Sequence, residues 1–280
     1  MTETKGRAAV VTGGGSGIGR ALARALSAQG SPVVVADIRL ESAEAVAAEI
    51  EGAGGTAVPV ACDVSERASV AELKARSNSE IGAPALLFAN AGATCLDRLS
   101  DMSPEDVEWI LSVNLFGVSH CLQAFLPDMI AARSGHVVAT ASLAGLVPEA
   151  VPFHAPYAAA KSGVIAMMLN LRTELSQAGV GSTVFCPGGV ATRIAATPRY
   201  RPARFGGPSR DPLRPPEGFE MATPVKVRAA EEAAEMLLRG VREDRPLVVT
   251  DASLREAFLR GFVDEALDAF DAAEAFDAKR

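Results

Sequence analysis

Histidine, cysteine and aromatic residues are scarce in this chain, and each scarcity removes a class of function. Three histidines (His120, His136, His154) and four cysteines (Cys62, Cys95, Cys121, Cys186) are spread over 280 residues. None stands at metal-ligand or CxxC spacing, so neither a metal site nor a disulfide framework is expected, and reduced thiols in the cytoplasm are. Cys121 and Cys186 read as small core residues. Positive charge is also short: 27 Lys and Arg face 34 Asp and Glu, a net charge of -7. With no basic stripe, nucleic acid is not an expected partner. No stretch reaches the roughly 18 apolar residues of a membrane span. The N-terminal "MTETKGRAAVV" lacks the apolar run of a secretory signal, so no membrane partner is expected.

What is present is a regular alternation. Short apolar, β-branched runs lie at 8–12, 32–37, 56–62, 85–90, 136–142, 181–187 and 246–250. Between most of them come helix patterns, at 17–29, 41–53, 66–80, 103–132 and 156–178. Ser103 and Pro104 suit the start of the fourth helix. Continuous hydrophobicity within the strands means burial on both faces, and the alternation predicts an α/β fold with a parallel sheet between helical layers. No linker divides the chain, so one domain over 1–280 is expected. The stretch 193–227 breaks the pattern with proline and arginine, and reads as a substrate lid or else a disordered insertion. The tail, about 252–280, sets Phe258, Phe262, Leu267 and Phe270 at near-helical spacing.

The first strand runs into "TGGGSGIG", Thr12 to Gly19. Glycines here let backbone approach a ligand, and the helix start that follows, with Ser16 and Ile18, offers free N–H groups to a pyrophosphate. The strict GxGxxG spacing is absent; Gly13, Gly17 and Gly19 fit T-G-x-x-x-G-x-G instead. Asp37, at the end of the second strand, is placed to accept hydrogen bonds from ribose hydroxyls and to repel a 2′-phosphate. Arg39 pulls the other way. NAD is therefore favoured over NADP.

Tyr157 and Lys161 stand four apart on one helix face. A free phenol titrates near 10, and a neighbouring cation lowers such a value by roughly 1–3 units. The pair thus predicts a phenol brought toward working pH as a proton acceptor.

These residues, taken with "CDV" at 62–64, "NAG" at 90–92, Asn114 in "SVNLFG", Ser142, "YAAAK" at 157–161 and "PGGVAT" at 187–192, resemble the short-chain dehydrogenase/reductase family. The resemblance covers about 5–192 plus the strand at 246–250. It implies a Rossmann-type doubly wound sheet of about seven strands holding a nicotinamide cofactor. Asp63 and Val64 would border the adenine, and Asn90, Ala91 and Gly92 would line the cleft. Pro187, Gly188, Val190 and Thr192 would hold the nicotinamide end. Ser142 and Tyr157 would bind the reacting oxygen, Lys161 would hold the ribose, and Asn114 would hold a proton-relaying water. Three departures stand out: Phe88-Ala89 before Asn90, a gap from Ser142 to Tyr157 about two residues longer than usual, and the stretch after Thr192.

The expected substrate is a hydrophobic secondary alcohol or ketone. Leu146, Val147, Val151 and Phe153 would form its walls, faced by Ala93, Thr94 and Leu96, unless these residues pack the lid instead. His154 reads as an exposed loop residue. Arg193, Arg199, Arg201 and Arg204 read as solvated charges, with the grip on an acidic substrate as the alternative. Broad apolar faces on 103–132 and on the Tyr157 helix imply, by the resemblance, a homotetramer, with a dimer next. The competing readings are a cofactor-binding regulator without turnover and an NADP-dependent ketone reductase.

Overall fold

The computed structural model describes residues 2–209, 215–220 and 226–278. Seven parallel strands form one sheet in the order β3-β2-β1-β4-β5-β6-β7. They are β1 (Ala9–Thr12), β2 (Val33–Asp37), β3 (Ala57–Ala61), β4 (Leu86–Ala89), β5 (His136–Thr140), β6 (Gly181–Cys186) and β7 (Leu247–Val249). Every apolar run of the sequence is a strand. The order reverses at β1, whose Ala9 pairs with Val33 on one side and Leu86 on the other. That reversal opens a crevice at the carboxyl ends of β1 and β4, where α/β sheets bind ligands.

Strand residues alternate between two buried layers, as a period of two demands. Val10, Val34, Leu87 and Val137 face one cluster; Val11, Val35, Phe88 and Val138 face the other. The helices are α1 (Gly17–Ser27), α2 (Leu40–Gly52), α3 (Arg67–Ile81), α4 (Pro104–Leu111), α5 (Gly117–Ala132), α6 (Ala155–Gln177) and α7 (Ala230–Arg242). Helices α1, α2 and α7 cover the second face, and α3, α5 and α6 the first. Helix α7 has no counterpart among the predicted patterns. Its buried stripe, Ala230, Ala233 and Ala234 followed by Leu237, Leu238 and Val241, does stand at helical spacing, directly after the proline-rich stretch.

The predicted helix at 103–132 is continuous but not uniform. Ser103 caps α4 with a reciprocal bond to Asp106, and Pro104 sits in the first turn. A π-turn over Ser112–Phe116 then joins α4 to α5. Pro104–Ala132 spans 29 residues, and an 18-residue stretch of it reaches a mean hydropathy of 1.4, so it is long and apolar enough to cross a membrane by length and composition. The sequence expectation of no such segment is corrected here. The apolarity of α5 serves the sheet, since Val118, Cys121, Leu122, Phe125 and Met129 are buried on it.

After β7, α8 (Arg255–Phe258), a π-turn and α9 (Glu265–Asp277) form the tail. Its root packs on the loop after β5, joining Leu254 and Phe258 to Leu143, Val147 and Ala150. Phe262, Leu267 and Phe270 are exposed.

At the amino end of the strands, His136, the first residue of β5, is fully buried. Its ring nitrogens bond Thr2 Oγ1 and Thr183 Oγ1, and Arg172 pairs with the nearby Asp244. Burial pushes the imidazole down to about 4. An unfolded histidine takes a proton near 6.5, so the folded form loses stability as pH falls from there toward 4, on the order of 3 kcal/mol from this one group. His136→Gln is expected to flatten that acid slope of the unfolding free energy, measured by urea titration between roughly pH 7 and pH 4. An unchanged slope would refute the assignment.

Candidate active site

The turn after β1 is shaped by close backbone contact. A Cβ on Gly19 would sit 2.1 Å from the Gly13 carbonyl oxygen, and one on Gly13, whose φ is +63°, would sit 2.8 Å from Ala91 Cα. Only glycine fits either place. Ser16, at the N-cap of α1, makes no side-chain capping bond, and the first turn carries no acidic residue. The helix therefore presents free N–H groups and its positive dipole end to the crevice. Next to it, Asp37 Oδ2 accepts the Gly15 N–H (3.0 Å) and Oδ1 the Arg39 N–H (3.1 Å). Burial raises the Asp37 carboxyl above its ordinary range.

Asn90 stitches three strand ends together. Its backbone N–H and that of Ala91 donate to Thr12 Oγ1, its amide donates to Thr12 O, and its Oδ1 accepts from Thr140 Oγ1. The cleft above has a volume of about 390 Å³. Its wall contains Gly13, Ser16, Gly17, Ile18, Asp37, Asp63, Val64, Asn90, Ala91, Gly92, Pro187, Gly188, Val190 and Thr192, together with Ser142, Tyr157 and Lys161. Gly19 lies beneath the turn. Asn114 lies behind the wall, fully buried. The π-turn points it inward, where its amide donates to Ala93 O and Ile110 O (both 2.9 Å) and accepts from Ala93 N–H (3.3 Å). Those bonds use both amide hydrogens and leave one lone pair.

Tyr157 and Lys161 do share a face of α6, with Nζ 5.5 Å from the phenol ring centroid. The predicted lowering of the phenol is corrected. Burial dominates and pushes Tyr157 up to about 12, against a smaller lowering by the neighbouring Ser142 hydroxyl. Desolvation acts on the lysine as well, pushing it down to about 8. Both groups resist charge because both have left water. Lys161 donates to Thr140 O at 2.7 Å and keeps two N–H donors.

The stretch after Thr192 closes one side of the cleft, with 3₁₀ turns over Ile194–Tyr200 and Ala203–Phe205. Residues 210–214 and 221–225 of the expected lid lie outside the described residues. Two of its arginines are held in ion pairs, Arg201 largely covered and Arg204 still exposed. Arg201 pairs with Asp106, and Arg204 with Asp63 and Glu66. Tyr200 accepts from Arg39 (3.0 Å) and lies under its guanidinium. Around Tyr157, the buried Ala93, Trp109, Ala144 and Phe205 pack with Cys95 and Val151. Leu146 and Val147 were expected here but turn toward the tail. Sequence reasoning missed Trp109, Thr197 and Tyr200, which line the cleft, and misplaced His154, which stacks on Tyr157. The aromatic scarcity was the available signal: the one tryptophan and both tyrosines face this cleft.

A family model described as "short chain dehydrogenase" matches residues 7–201. The chain belongs to the short-chain dehydrogenase family. It is 32% identical over 266 residues to a C alpha-dehydrogenase of Sphingobium sp. strain SYK-6, covering 94% of this chain and 86% of that one. Its fold matches a short chain dehydrogenase/reductase of Burkholderia phymatum solved with NAD, at a TM-score of 0.85 and 29% identity, over 96% and 97% of the two chains. A metagenomic short-chain oxidoreductase solved with NADP is 36% identical, with a TM-score of 0.63 over 67% of this chain and 85% of that one. The chain is thus an oxidoreductase with a nucleotide-binding Rossmann fold. The glycine cradle, the uncapped start of α1 and the spare donors of Lys161 fit a nicotinamide dinucleotide.

Gly19→Ala is expected to weaken NAD or NADP binding at least about 10-fold, because the added methyl splits the turn that forms the cradle. Trp109, the single tryptophan, lies in the cleft wall. Quenching of its fluorescence by each dinucleotide measures the change, and wild-type affinity in the variant would contradict this account of the turn.

Proposed function

We propose that this chain transfers a hydride between NAD and a hydrophobic secondary alcohol or ketone, with Tyr157 as the proton-carrying group. The observation that carries the reading is the buried Tyr157 side chain, set in the cleft wall beside Ser142 and with the Lys161 ammonium 5.5 Å from its ring centroid. Bound nicotinamide would supply the hydride acceptor for an alcohol and the hydride donor for a ketone. Gly13, Ser16, Gly17, Ile18 and Asp37 hold the adenosine and phosphate end, and Pro187, Gly188, Val190 and Thr192 the nicotinamide end. Ser142 hydrogen-bonds the substrate oxygen and steadies charge developing on it. Tyr157 gives its proton to a ketone oxygen or takes one from an alcohol. The spare N–H groups of Lys161 orient ribose hydroxyls. Asn114 fixes Ala93 and the cleft floor, and its free lone pair is the place for a relaying water.

The phenol, pushed up to about 12, is protonated at neutral pH, which is the form that reduces a ketone. Alcohol oxidation needs the deprotonated form and speeds up as pH rises. Asp37 supports NAD over NADP, since its carboxylate disfavours a 2′-phosphate and Arg39 is already engaged by Tyr200. The apolar set around Trp109 supports a hydrophobic substrate, and the described part of 193–227 acts as its lid. Four free thiols suit the cytoplasm.

Tyr157→Phe is expected to lower turnover by at least about 10²-fold while leaving NAD affinity within about 3-fold. The assay is reduced-nicotinamide absorbance with a panel of secondary alcohols. Near-normal turnover would remove Tyr157 as the base, and no turnover by the wild type on any alcohol or ketone would favour a regulator. Higher kcat/KM with NADP than with NAD would favour the ketone-reductase alternative.

Exposed Phe116 at the end of the π-turn, Ile130 of α5 and Leu169 of α6 support pairing of copies through the outer faces of these helices, with a homotetramer ahead of a dimer. Light scattering on the eluted protein is expected to return four chain masses, and a monomer would refute the pairing.

A further inference from the structure

His154 ends the loop that leads from Ser142 to α6. Its imidazole lies flat on the Tyr157 ring, with centroids 4.2 Å apart and planes 4° from parallel. Nε2 is 2.8 Å from Thr94 Oγ1. The Thr94 backbone N–H donates in turn to Thr197 Oγ1 at 3.0 Å, inside the 3₁₀ segment after Thr192. Thr197 completes the connection by donating to Ile194 O. One continuous chain of contacts thus runs from that segment to the phenol.

Two costs accompany the arrangement. Phe153, immediately before, adopts a left-handed backbone with φ of +59°, unfavourable for a bulky side chain. Its carbonyl is held by the Asp97 N–H and its ring by Arg98. His154 Nδ1 is buried with no hydrogen-bond partner. Strain and an unpaired polar atom persist only where the surroundings impose them, and they gather at functional sites. Burial pushes His154 down to about 4, so a neutral ring covers the phenol. A neutral cover excludes water without supplying charge.

We propose that His154 is a positioning residue: its imidazole holds the Tyr157 ring in one orientation and ties it, through Thr94 and Thr197, to the segment over 194–200. The proposal rests on the reading of Tyr157 as the proton-carrying group. Placement of the segment over the cleft and placement of the phenol are then one event, so the proton carrier is aligned when the cleft is covered. A ring free to tilt about its Cα–Cβ bond would carry the hydroxyl away from the substrate oxygen, and small misplacements of reacting groups are expensive in rate.

The titration and quenching measurements need no known substrate, because Tyr157 and Tyr200 are the only tyrosines and Trp109 the only tryptophan. In a Tyr200→Phe background, phenolate absorbance after a rapid jump to about pH 10.5 reports Tyr157 alone. The groups around it are Ser142, His154, Lys161 and Cys186. The background protein is expected to show almost no phenolate. His154→Ala, which opens the ring to water, is expected to show about half or more, and His154→Phe, which keeps a flat cover, almost none. Acrylamide quenching of Trp109, which lies under Arg201, the residue that follows this segment, reports the tie. It is expected to rise about 2-fold or more in both variants, since both lose the bond to Thr94. Turnover of a secondary alcohol by His154→Phe is expected to exceed that of His154→Ala by about 10-fold.

Phenolate in His154→Ala no higher than in the background protein overturns the cover, as does His154→Phe behaving like His154→Ala. Unchanged quenching in both variants overturns the tie. Activity surviving in Tyr157→Phe would sink the catalytic reading instead, and leaves the titration result standing, so the two failures are told apart.

Discussion

Because β1 pairs with β2 on one side and β4 on the other, the chain leaves the carboxyl end of the sheet in opposite directions at that point. Everything at the site hangs on this divergence. It separates the glycine turn from the Asn90 loop by the width of a ligand, and Asn90 then fastens the two lips through Thr12 and Thr140. Strand β5 delivers Ser142 to one side of the gap, and α6 returns across it with Tyr157 and Lys161. Parallel strands buried on both faces leave little room for that geometry to drift.

Desolvation governs the electrostatics of the cleft more than charge pairing does. Tyr157, Lys161, His154 and Cys186 are all pushed toward their neutral forms, and the causes begin with burial in each case. No carboxylate sits beside the Lys161 ammonium among the described residues; a backbone carbonyl does. Such a lysine remains responsive to any polar group that enters, where a salt bridge would have fixed it. The carboxylates nearby are spent elsewhere: Asp63 and Asp106 hold arginines of the segment after Thr192, and Asp37 holds the glycine turn.

Much of this was legible in the amino-acid order. Strand positions showed because continuous apolar runs have few other uses, and the glycine turn showed because close backbone approach admits one residue type. The tyrosine–lysine spacing correctly put both groups on one face of α6. Its consequence for the phenol was misread, because burial is a property of the assembled site and spacing does not encode it. His154 passed as a loop residue for the same reason: nothing local announces that a strained Phe153 will swing the next ring onto Tyr157. Helix α7 was missed although Leu237, Leu238 and Val241 continue the spacing of Ala230, Ala233 and Ala234, because the proline-rich stretch before it drew the whole region into one irregular segment. Leu146 and Val147 were assigned to the pocket on polarity alone, and a tail more than 100 residues later in the chain claimed them.

The π-turn over Ser112–Phe116 has a phase consequence. One extra residue in a turn rotates all that precedes it by about 100° relative to an uninterrupted α-helix. Trp109 and Ile110 on the leading side therefore face the cluster around Tyr157, and Cys121, Leu122 and Phe125 on the trailing side face the sheet, while both halves keep one helical period. Shortening the rod by a single position would bring the halves back into step, and then either the indole would swing out of the cleft or the phenylalanine would leave the sheet. The angular offset between the two halves is what allows one helix to serve the hydrophobic interior along most of its length and the chemistry at one bend.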